Sequence, residues 1–241
     1  MKQLYRLADR TMEIDSLHPL IHRQCEEYWS EGNPDFIVRI VQTDIDFERE
    51  KSEQEDRSEG HTVQHFSDAY LETLAVYRKI AEKMPEYDTV LFHGSAIAVD
   101  GAAYLFTARS GTGKSTHARL WRELLGEKTV MVNDDKPLIR ITDKEVIIYG
   151  TPWDGKHHLS SNMSTPLKAI CILERARDNS IREITKQEAL PMLIQQAYRP
   201  VNPSVMARTL LLIDRLNVKF YRLGCNMDIS AAELSYNTMK G

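Results

Sequence analysis

The sequence predicts an α/β fold in which helices flank a mixed sheet that is rich in hairpins. A short apolar run, a glycine-rich turn and a helical pattern follow one another through residues 104–125. Asp100 and Gly101 separate two apolar runs, and an Asp-Gly pair in that position is a strong signal for a two-residue hairpin. Further apolar runs alternate with amphipathic segments as far as residue 239, which indicates strands and helices that share a core.

The length and charge of the chain limit its class. Its 241 residues are enough for one large domain or for a core with a smaller appendage. A net charge of -4 argues against binding to nucleic acid or to an anionic membrane. No apolar run approaches the roughly 20 residues that span a bilayer, and the first residues lack the apolar segment of a signal peptide. The three cysteines are scattered and include no C-x-x-C pair, which is typical of free thiols in a reducing compartment. Together these features lead us to expect a cytoplasmic protein without a nucleic-acid or membrane partner.

Residues 1–86 predict a small α+β region that would act as a cap or a recognition subdomain. Apolar spacing predicts a helix over residues 17–29 and a strand over residues 36–41. Residues 48–60 contain six acidic and three basic side chains and no apolar one, so we expect a solvated loop there. An amphipathic helix follows over residues 68–84, and Pro85 ends it.

Residues 108–116, here called the glycine loop, have the features of a phosphate-binding loop. They match the Walker A pattern G-x-x-x-x-G-K-[ST], except that Ala108 stands at its first glycine. Backbone N–H groups and the start of the following helix can bind an anion. In such a loop Lys114 reaches the β- and γ-phosphates, and the Ser115 hydroxyl coordinates Mg²⁺. We expect nucleotide contacts from seven consecutive residues: Ser110, Gly111, Thr112, Gly113, Lys114, Ser115 and Thr116. The alternative is a serine- and glycine-rich turn that happens to precede a lysine.

Two further groups could complete such a site. The apolar run of residues 128–132 ends at Asn133, Asp134 and Asp135, and a carboxylate after a buried strand is typical of Mg²⁺ binding near a phosphate loop. A polar turn or a helix cap is the alternative, since Asp is common in turns. His93 lies one predicted hairpin before the glycine loop, and its alternative role is that of a hydrogen-bonded residue at a strand end.

The remaining segments predict more strands and helices around this centre. Residues 137–149 form a second predicted hairpin, and residues 150–158 form a polar loop. The expected elements that follow are a strand at 167–173, helices at 188–198 and 205–216, a strand at 218–223 and a helix at 229–239.

Together these residues resemble the HPr kinase/phosphorylase family, and more closely its smaller bacterial relatives. His93 and Gly94, the glycine loop, the pair Asp134 and Asp135, and the G-T-P-W-D-G-K run of residues 150–156 carry the resemblance. It implies a phosphoenolpyruvate-carboxykinase-like P-loop fold for a kinase domain at residues 87–241. Residues 1–86 do not resemble the amino-terminal domain of the HPr enzymes.

The resemblance also implies roles for individual residues. By position, Asp135 corresponds to the base that takes the proton of the acceptor hydroxyl, and Asp134 helps Ser115 to hold Mg²⁺. His93 would lie near the reacting phosphate. Lys156 would contact phosphate. The alternative is that Lys156 is a surface lysine of a polar loop and binds no ligand.

The sequence therefore predicts a phosphotransferase that uses ATP and Mg²⁺ to phosphorylate a hydroxyl, as a serine kinase acting on a peptide or small protein would do. One alternative is a kinase of a small-molecule hydroxyl. Another is a regulatory module that binds ATP and transfers nothing. The family's members assemble, which leaves a homo-oligomer open, and the sequence identifies no acceptor.

Overall fold

The computed structural model describes residues 1–241, and the chain divides into two compact units, Met1–Lys83 and Met84–Gly241. No helix in the structure combines the length and apolar character that crossing a membrane requires.

The first unit contains a three-stranded sheet and three helices. Strands β1 (Lys2–Leu7) and β2 (Arg10–Asp15) form an antiparallel hairpin, and β3 (Phe36–Arg39) pairs in parallel with β2. The helices are α1 (Leu20–Gln24), α2 (Gln42–Glu59) and α3 (Asp68–Lys83). The helix predicted over residues 17–29 is shorter than expected, because α1 is followed only by a single 3₁₀ turn, Glu26–Tyr28.

The expectation of a solvated loop at residues 48–60 was wrong, because α2 runs through nearly all of it. Glu, Lys, Gln and Arg all have high helix propensity, so a segment without apolar residues can still be helical. Ion pairs support the helix: Arg57 pairs with Glu53 one turn earlier, and Glu48 pairs with Arg78 of α3. Gly60 ends it in the left-handed conformation.

The second unit is built on a nine-stranded mixed sheet. Seven of its strands lie in the order β4-β8-β9-β10-β6-β5-β7, and β12 pairs with β10 and β11 beside that path. The strands are β4 (Thr89–Leu91), β5 (Ser95–Val99), β6 (Ala102–Thr107), β7 (Thr129–Asn133), β8 (Leu138–Ile141), β9 (Val146–Tyr149), β10 (Ser164–Arg175), β11 (Ser180–Ile184) and β12 (Lys219–Cys225).

Helices cover both faces of this sheet. They are α4 (Lys114–Leu125), α5 (Lys186–Gln196), α6 (Pro203–Arg215) and α7 (Ile229–Met239). One apolar cluster includes Leu193 of α5 and Leu212 of α6, and a second includes Trp121 of α4 and Met239 of α7. The predicted α/β class with a mixed, hairpin-rich sheet flanked by helices is therefore confirmed.

The pairing of three strands brings distant segments to one sheet edge. Strand β5 runs antiparallel to both β6 and β7. The start of β5 therefore lies beside the ends of β6 and β7, and the glycine loop follows β6 directly. The end of β10 lies on the other side of β6, because these two strands are parallel neighbours.

Candidate functional site

The glycine loop has the backbone conformation that its glycines predict. Gly111 and Gly113 have φ angles of 74° and 123°, in the left-handed region that L side chains rarely adopt. Helix α4 begins immediately afterwards at Lys114. Ala108 is fully buried in the core and is not among the residues with positive φ, so the structure needs no glycine at that position.

Lys114 is almost completely buried, with 9% of its surface exposed. Its Nζ donates a hydrogen bond to the carbonyl of Ala108 at 3.3 Å. Burial lowers the pKa of Lys114, while the charge of Asp135 opposes that shift and Asp134 adds to the opposition. The side chain thus lies within electrostatic range of both carboxylates that the sequence singled out.

Asp134 is buried and hydrogen-bonded to hydroxyl groups. Ser95, at the start of β5, donates to Oδ1 of Asp134, and Ser115 of the glycine loop also bonds this carboxylate. Burial raises the pKa of Asp134, and the bonds from the two serines partly offset that effect. The structure therefore brings together Ser115 and Asp134, the two residues predicted to hold a metal.

Asp135 is paired with the predicted histidine. Nε2 of His93 lies 3.2 Å from Oδ1 of Asp135, and Nζ of Lys136 lies 3.4 Å from the same oxygen. Burial by itself would raise the pKa of Asp135, but the His93 hydrogen bond and the Lys136 charge outweigh it, and the net result is a lowered pKa. Asp135 is therefore ionised at neutral pH.

His93 is held in position through the backbone. Its carbonyl accepts a hydrogen bond from Thr107 at the end of β6, and the N–H of Gly94 donates to the carbonyl of Asp135. A β-carbon on Gly94 would lie 2.7 Å from a methyl of Leu105, so only glycine allows this approach to β6. His93 lies just before β5, rather than within the strand.

The turn that carries the carboxylates depends on a residue whose role the sequence did not reveal. The buried Asn133 accepts hydrogen bonds at its Oδ1 from the N–H groups of Asp135 and Lys136. Its amide nitrogen donates to the carbonyl of Thr151 at 3.0 Å, and the Thr151 hydroxyl donates to the carbonyl of Lys136. Asn side chains often accept a hydrogen bond from the backbone N–H two residues later, so that part of the turn is typical of Asn. The contact of Asn133 with Thr151 could not be predicted from the sequence.

The loop of residues 150–158 lies against this turn, although the side chain of Lys156 is exposed. A β-carbon on Gly155 would lie 3.4 Å from the Asp135 side chain, so the loop backbone is close to the predicted base. Asp154 is fixed by hydrogen bonds from His158 and Ser160. Trp153 is buried, which favours a packing role over stacking on a ligand.

Arg175, at the end of β10, also contacts the glycine loop. Its guanidinium donates a hydrogen bond to the carbonyl of Gly111. The two residues are 64 positions apart, and a lone arginine at a strand end gave no signal in the sequence.

The oxygen donors of Asp134 and Ser115 suit a hard cation such as Mg²⁺ better than a transition metal held by several protein side chains. The chain has no group of three or more His, Cys, Asp or Glu side chains arranged to hold a metal ion. Mg²⁺ usually keeps several waters and binds one or two carboxylates together with substrate phosphates. The Asp134 carboxylate beside the Ser115 hydroxyl is consistent with that mode of binding.

Fold and site together define an α/β domain in which a glycine–lysine loop, two carboxylates and a histidine meet at one sheet edge. The family model for the SynChlorMet cassette protein ScmC matches residues 63–210, which is more than half of the chain. The chain therefore belongs to the ScmC family.

Among solved structures, the HPr(Ser) kinase/phosphatase from Coxiella burnetii is similar over 63% of this chain and 99% of its own, with 11% sequence identity and a TM-score of 0.35. That level of likeness supports no conclusion about activity. No curated protein matches the chain at a significant level.

Proposed function

We propose that this protein is a kinase that transfers the γ-phosphoryl group of ATP to a hydroxyl, with serine in a peptide or small protein as the acceptor. The observation that carries the proposal is the position of Lys114, which is buried at the start of α4, directly after the glycine loop, and within electrostatic range of Asp134 and Asp135. A structural lysine would not require this combination of a glycine loop, a helix N-terminus and two carboxylates.

The glycine loop supplies the site for the phosphates. Loop N–H groups and the positive end of α4 favour an anion, and the Lys114 ammonium adds a full charge. Burial disfavours the charged form of Lys114. Phosphate oxygens in the loop would offset that effect together with the two carboxylates. A mixed sheet with hairpins on both sides of the loop is consistent with a phosphoenolpyruvate-carboxykinase-like variant of the P-loop fold.

Ser115 and Asp134 are the residues that would hold Mg²⁺, and Ser95 would keep the Asp134 carboxylate oriented. The bound ion would neutralise charge on the β- and γ-phosphates. Because burial raises the pKa of Asp134, a nearby cation also favours the ionised form that binding requires.

Asp135 is the base in this proposal. Its carboxylate accepts the proton of the acceptor hydroxyl while the hydroxyl oxygen forms a bond to the γ-phosphorus. The bond between that phosphorus and the β–γ bridging oxygen breaks, and ADP leaves. His93 holds the carboxylate in position and, by lowering its pKa, favours the ionised form at neutral pH.

The test is phosphoryl transfer from γ-labelled ATP to a library of serine peptides with Mg²⁺ present. Asp135→Asn should reduce the rate at least about 100-fold, which is the lower range for loss of a general base, while leaving the affinity for a fluorescent ATP analogue nearly unchanged. Lys114→Met should weaken that affinity.

Exposed residues supply matched controls. Asp178→Asn, in the turn between β10 and β11, and Lys144→Met, in the turn between β8 and β9, make the same chemical changes away from the site and should change neither property. Label transfer that survives Asp135→Asn would remove this residue as the base. ATP binding without transfer to any peptide or small hydroxyl compound would favour a regulatory module.

A further inference from the structure

Two clefts flank the glycine loop, and they differ in lining. The first cleft, of about 400 Å³, is bounded by Ser115 and Thr116 of the loop and by Asp134. The second cleft, of about 450 Å³, lies on the side of Arg109 and Thr112. Its other walls are the end of β10 and the exposed face of α5. The loop is thus the shared wall between two separate spaces.

The second cleft has an unbalanced positive charge. Three arginines and two glutamates line it: Arg109, Arg175, Arg222, Glu174 and Glu188. Arg222 forms an ion pair with Glu174, and Glu188 pairs at 2.8 Å with Arg182, which lies outside the lining. Arg175 donates to the Gly111 carbonyl. The exposed guanidinium groups of Arg109 and Arg175 have no carboxylate partner, so these two side chains carry the unbalanced charge of this cleft.

The remaining positive charge faces solvent. Arg109 and Arg175 are both exposed, and the Arg175 guanidinium bonds only the neutral carbonyl of Gly111. A carboxylate or phosphate group can pair with a guanidinium through two parallel hydrogen bonds. The cleft therefore suits a group with oxygen acceptors and negative charge.

The apolar part of the cleft limits the ligand further. Ile172 of β10 packs on the α5 side of the sheet, and Pro191 and Met192 of α5 lie beside it in the lining. Gln195 of α5 also lines the cleft, and the next residue, Gln196, accepts the backbone hydrogen bond of His93. The α5 wall therefore leads from the arginines to the proposed base and its partner.

We infer that the second cleft binds the phosphoryl acceptor, and that the acceptor carries carboxylate groups beside its hydroxyl. This inference rests on the proposed kinase activity. Attacking and leaving oxygens lie roughly in line on opposite sides of the transferred phosphorus. A nucleotide whose phosphates follow Ser115 and Thr116 toward the first cleft leaves the opposite cleft for the acceptor. A serine flanked by aspartate or glutamate has the required hydroxyl and charge.

Three serine peptides of equal length, with acidic, neutral or basic flanks, test this assignment. Wild-type protein should have a kcat/KM for the acidic peptide about tenfold above that for the basic one, which is the usual range for a partly exposed charge contact. Arg109→Gln should abolish the preference by raising the KM for the acidic peptide. Its affinity for a fluorescent ATP analogue should stay within about twofold of wild type. Arg177→Gln, an exposed arginine in the turn after β10, is the matched control.

Direct binding separates failure of this inference from failure of the proposed activity. Fluorescence anisotropy of the labelled peptides, measured with a non-hydrolysable ATP analogue present, needs no turnover. Acidic-peptide binding that weakens in Arg109→Gln supports the cleft even if no transfer occurs. Equal binding of all three peptides, or a loss of nucleotide affinity in Arg109→Gln, would overturn it. Free serine and other small hydroxy acids, added as competitors, distinguish a small-molecule acceptor from a peptide.

Discussion

Nε2 of His93 lies 3.2 Å from Oδ1 of Asp135, and this contact joins the segment before β5 to the segment after β7. The two residues are 42 positions apart in the chain, and only the antiparallel pairing of β5 with β7 brings them together. The histidine offsets the effect of burial on the carboxylate, so the pKa of Asp135 is lowered although the residue is half-buried.

Replacement of His93 should move the acid limb of activity to higher pH. His93→Leu removes both the hydrogen bond and the charge, whereas His93→Gln can keep a donor without charge. In the wild type the hydrogen bond and the charge of His93 each lower the pKa of Asp135. The pKa of Asp135 should therefore be lowest in the wild type, higher in the Gln variant and highest in the Leu variant. The carboxylate is active when ionised, so the rate at mildly acidic pH should fall in the same order.

Two measurements check the shift. The pH dependence of kcat/KM locates the acid limb, and the ¹³C resonance of the Asp135 carboxyl reports its titration without any turnover. Identical titration of that resonance in all three proteins would contradict the assigned role of His93.

Removal of the Arg175 side chain should weaken nucleotide binding without unfolding the protein. Its guanidinium donates to the Gly111 carbonyl, in the part of the glycine loop where φ is 74°. Without this bond the loop should sample more conformations, so the Kd for an ATP analogue should rise about three- to tenfold, as expected for the loss of one hydrogen bond worth about 1 kcal/mol. The Tm should change by less than about 2 °C, because the side chain is exposed.

Calorimetric titration of wild type, Arg175→Ala and Arg177→Ala measures this effect. Arg177 lies two residues further on, in the turn after β10, and its carbonyl accepts a hydrogen bond from Asn226 rather than from the glycine loop, so its variant should bind like wild type. An unchanged Kd for Arg175→Ala would mean that the glycine loop keeps its shape without this bond.

The local chemistry of the second unit could be predicted from its sequence. The Asp100–Gly101 turn, the positive φ angles of Gly111 and Gly113, and the run from loop to helix follow from residues close together in the chain. Strand β11 was missed, because residues 180–184 alternate polar and apolar side chains only weakly and pair with β12 far along the chain.

Charge patterns and distant contacts caused the other errors. Helix α2 has too few apolar residues to be recognised by periodicity, and its support comes from pairs such as Glu48 with Arg78. The β1–β2 hairpin turns at Ala8 and Asp9, which take positive φ although they lack the usual glycine. In the site, Asn133 and Arg175 act through partners far away in the sequence, and no local pattern encodes such partners.

Asn133→Ala should destabilise the second unit by about 3 kcal/mol, because several buried hydrogen-bonding groups lose their partners together. Its Oδ1 accepts from two N–H groups of the carboxylate turn, and its amide donates to Thr151. Urea unfolding followed by fluorescence measures the change, with Trp29 replaced by Phe so that the signal reports the second unit. Asn217→Ala, at an exposed position, should leave the midpoint unchanged. A loss below about 1 kcal/mol would indicate that water replaces the amide.

Gly150→Ala should disrupt the loop that packs against the carboxylate turn. A β-carbon there would lie 1.9 Å from the carbonyl oxygen of Ser161 and 2.6 Å from that of Val132. Both contacts involve backbone, so the chain must move apart, and we expect a loss of about 3 kcal/mol or more in unfolding free energy. Gly101→Ala, in the turn between β5 and β6, is the comparison, since its β-carbon meets nothing within 4 Å and its positive φ alone costs about 1 kcal/mol. Because the displaced segment also carries Thr151, the partner of Asn133, ATP-dependent transfer should fall in Gly150→Ala even at temperatures where the protein remains folded. Equal destabilisation by the two variants would show that the loop relaxes around the added methyl group.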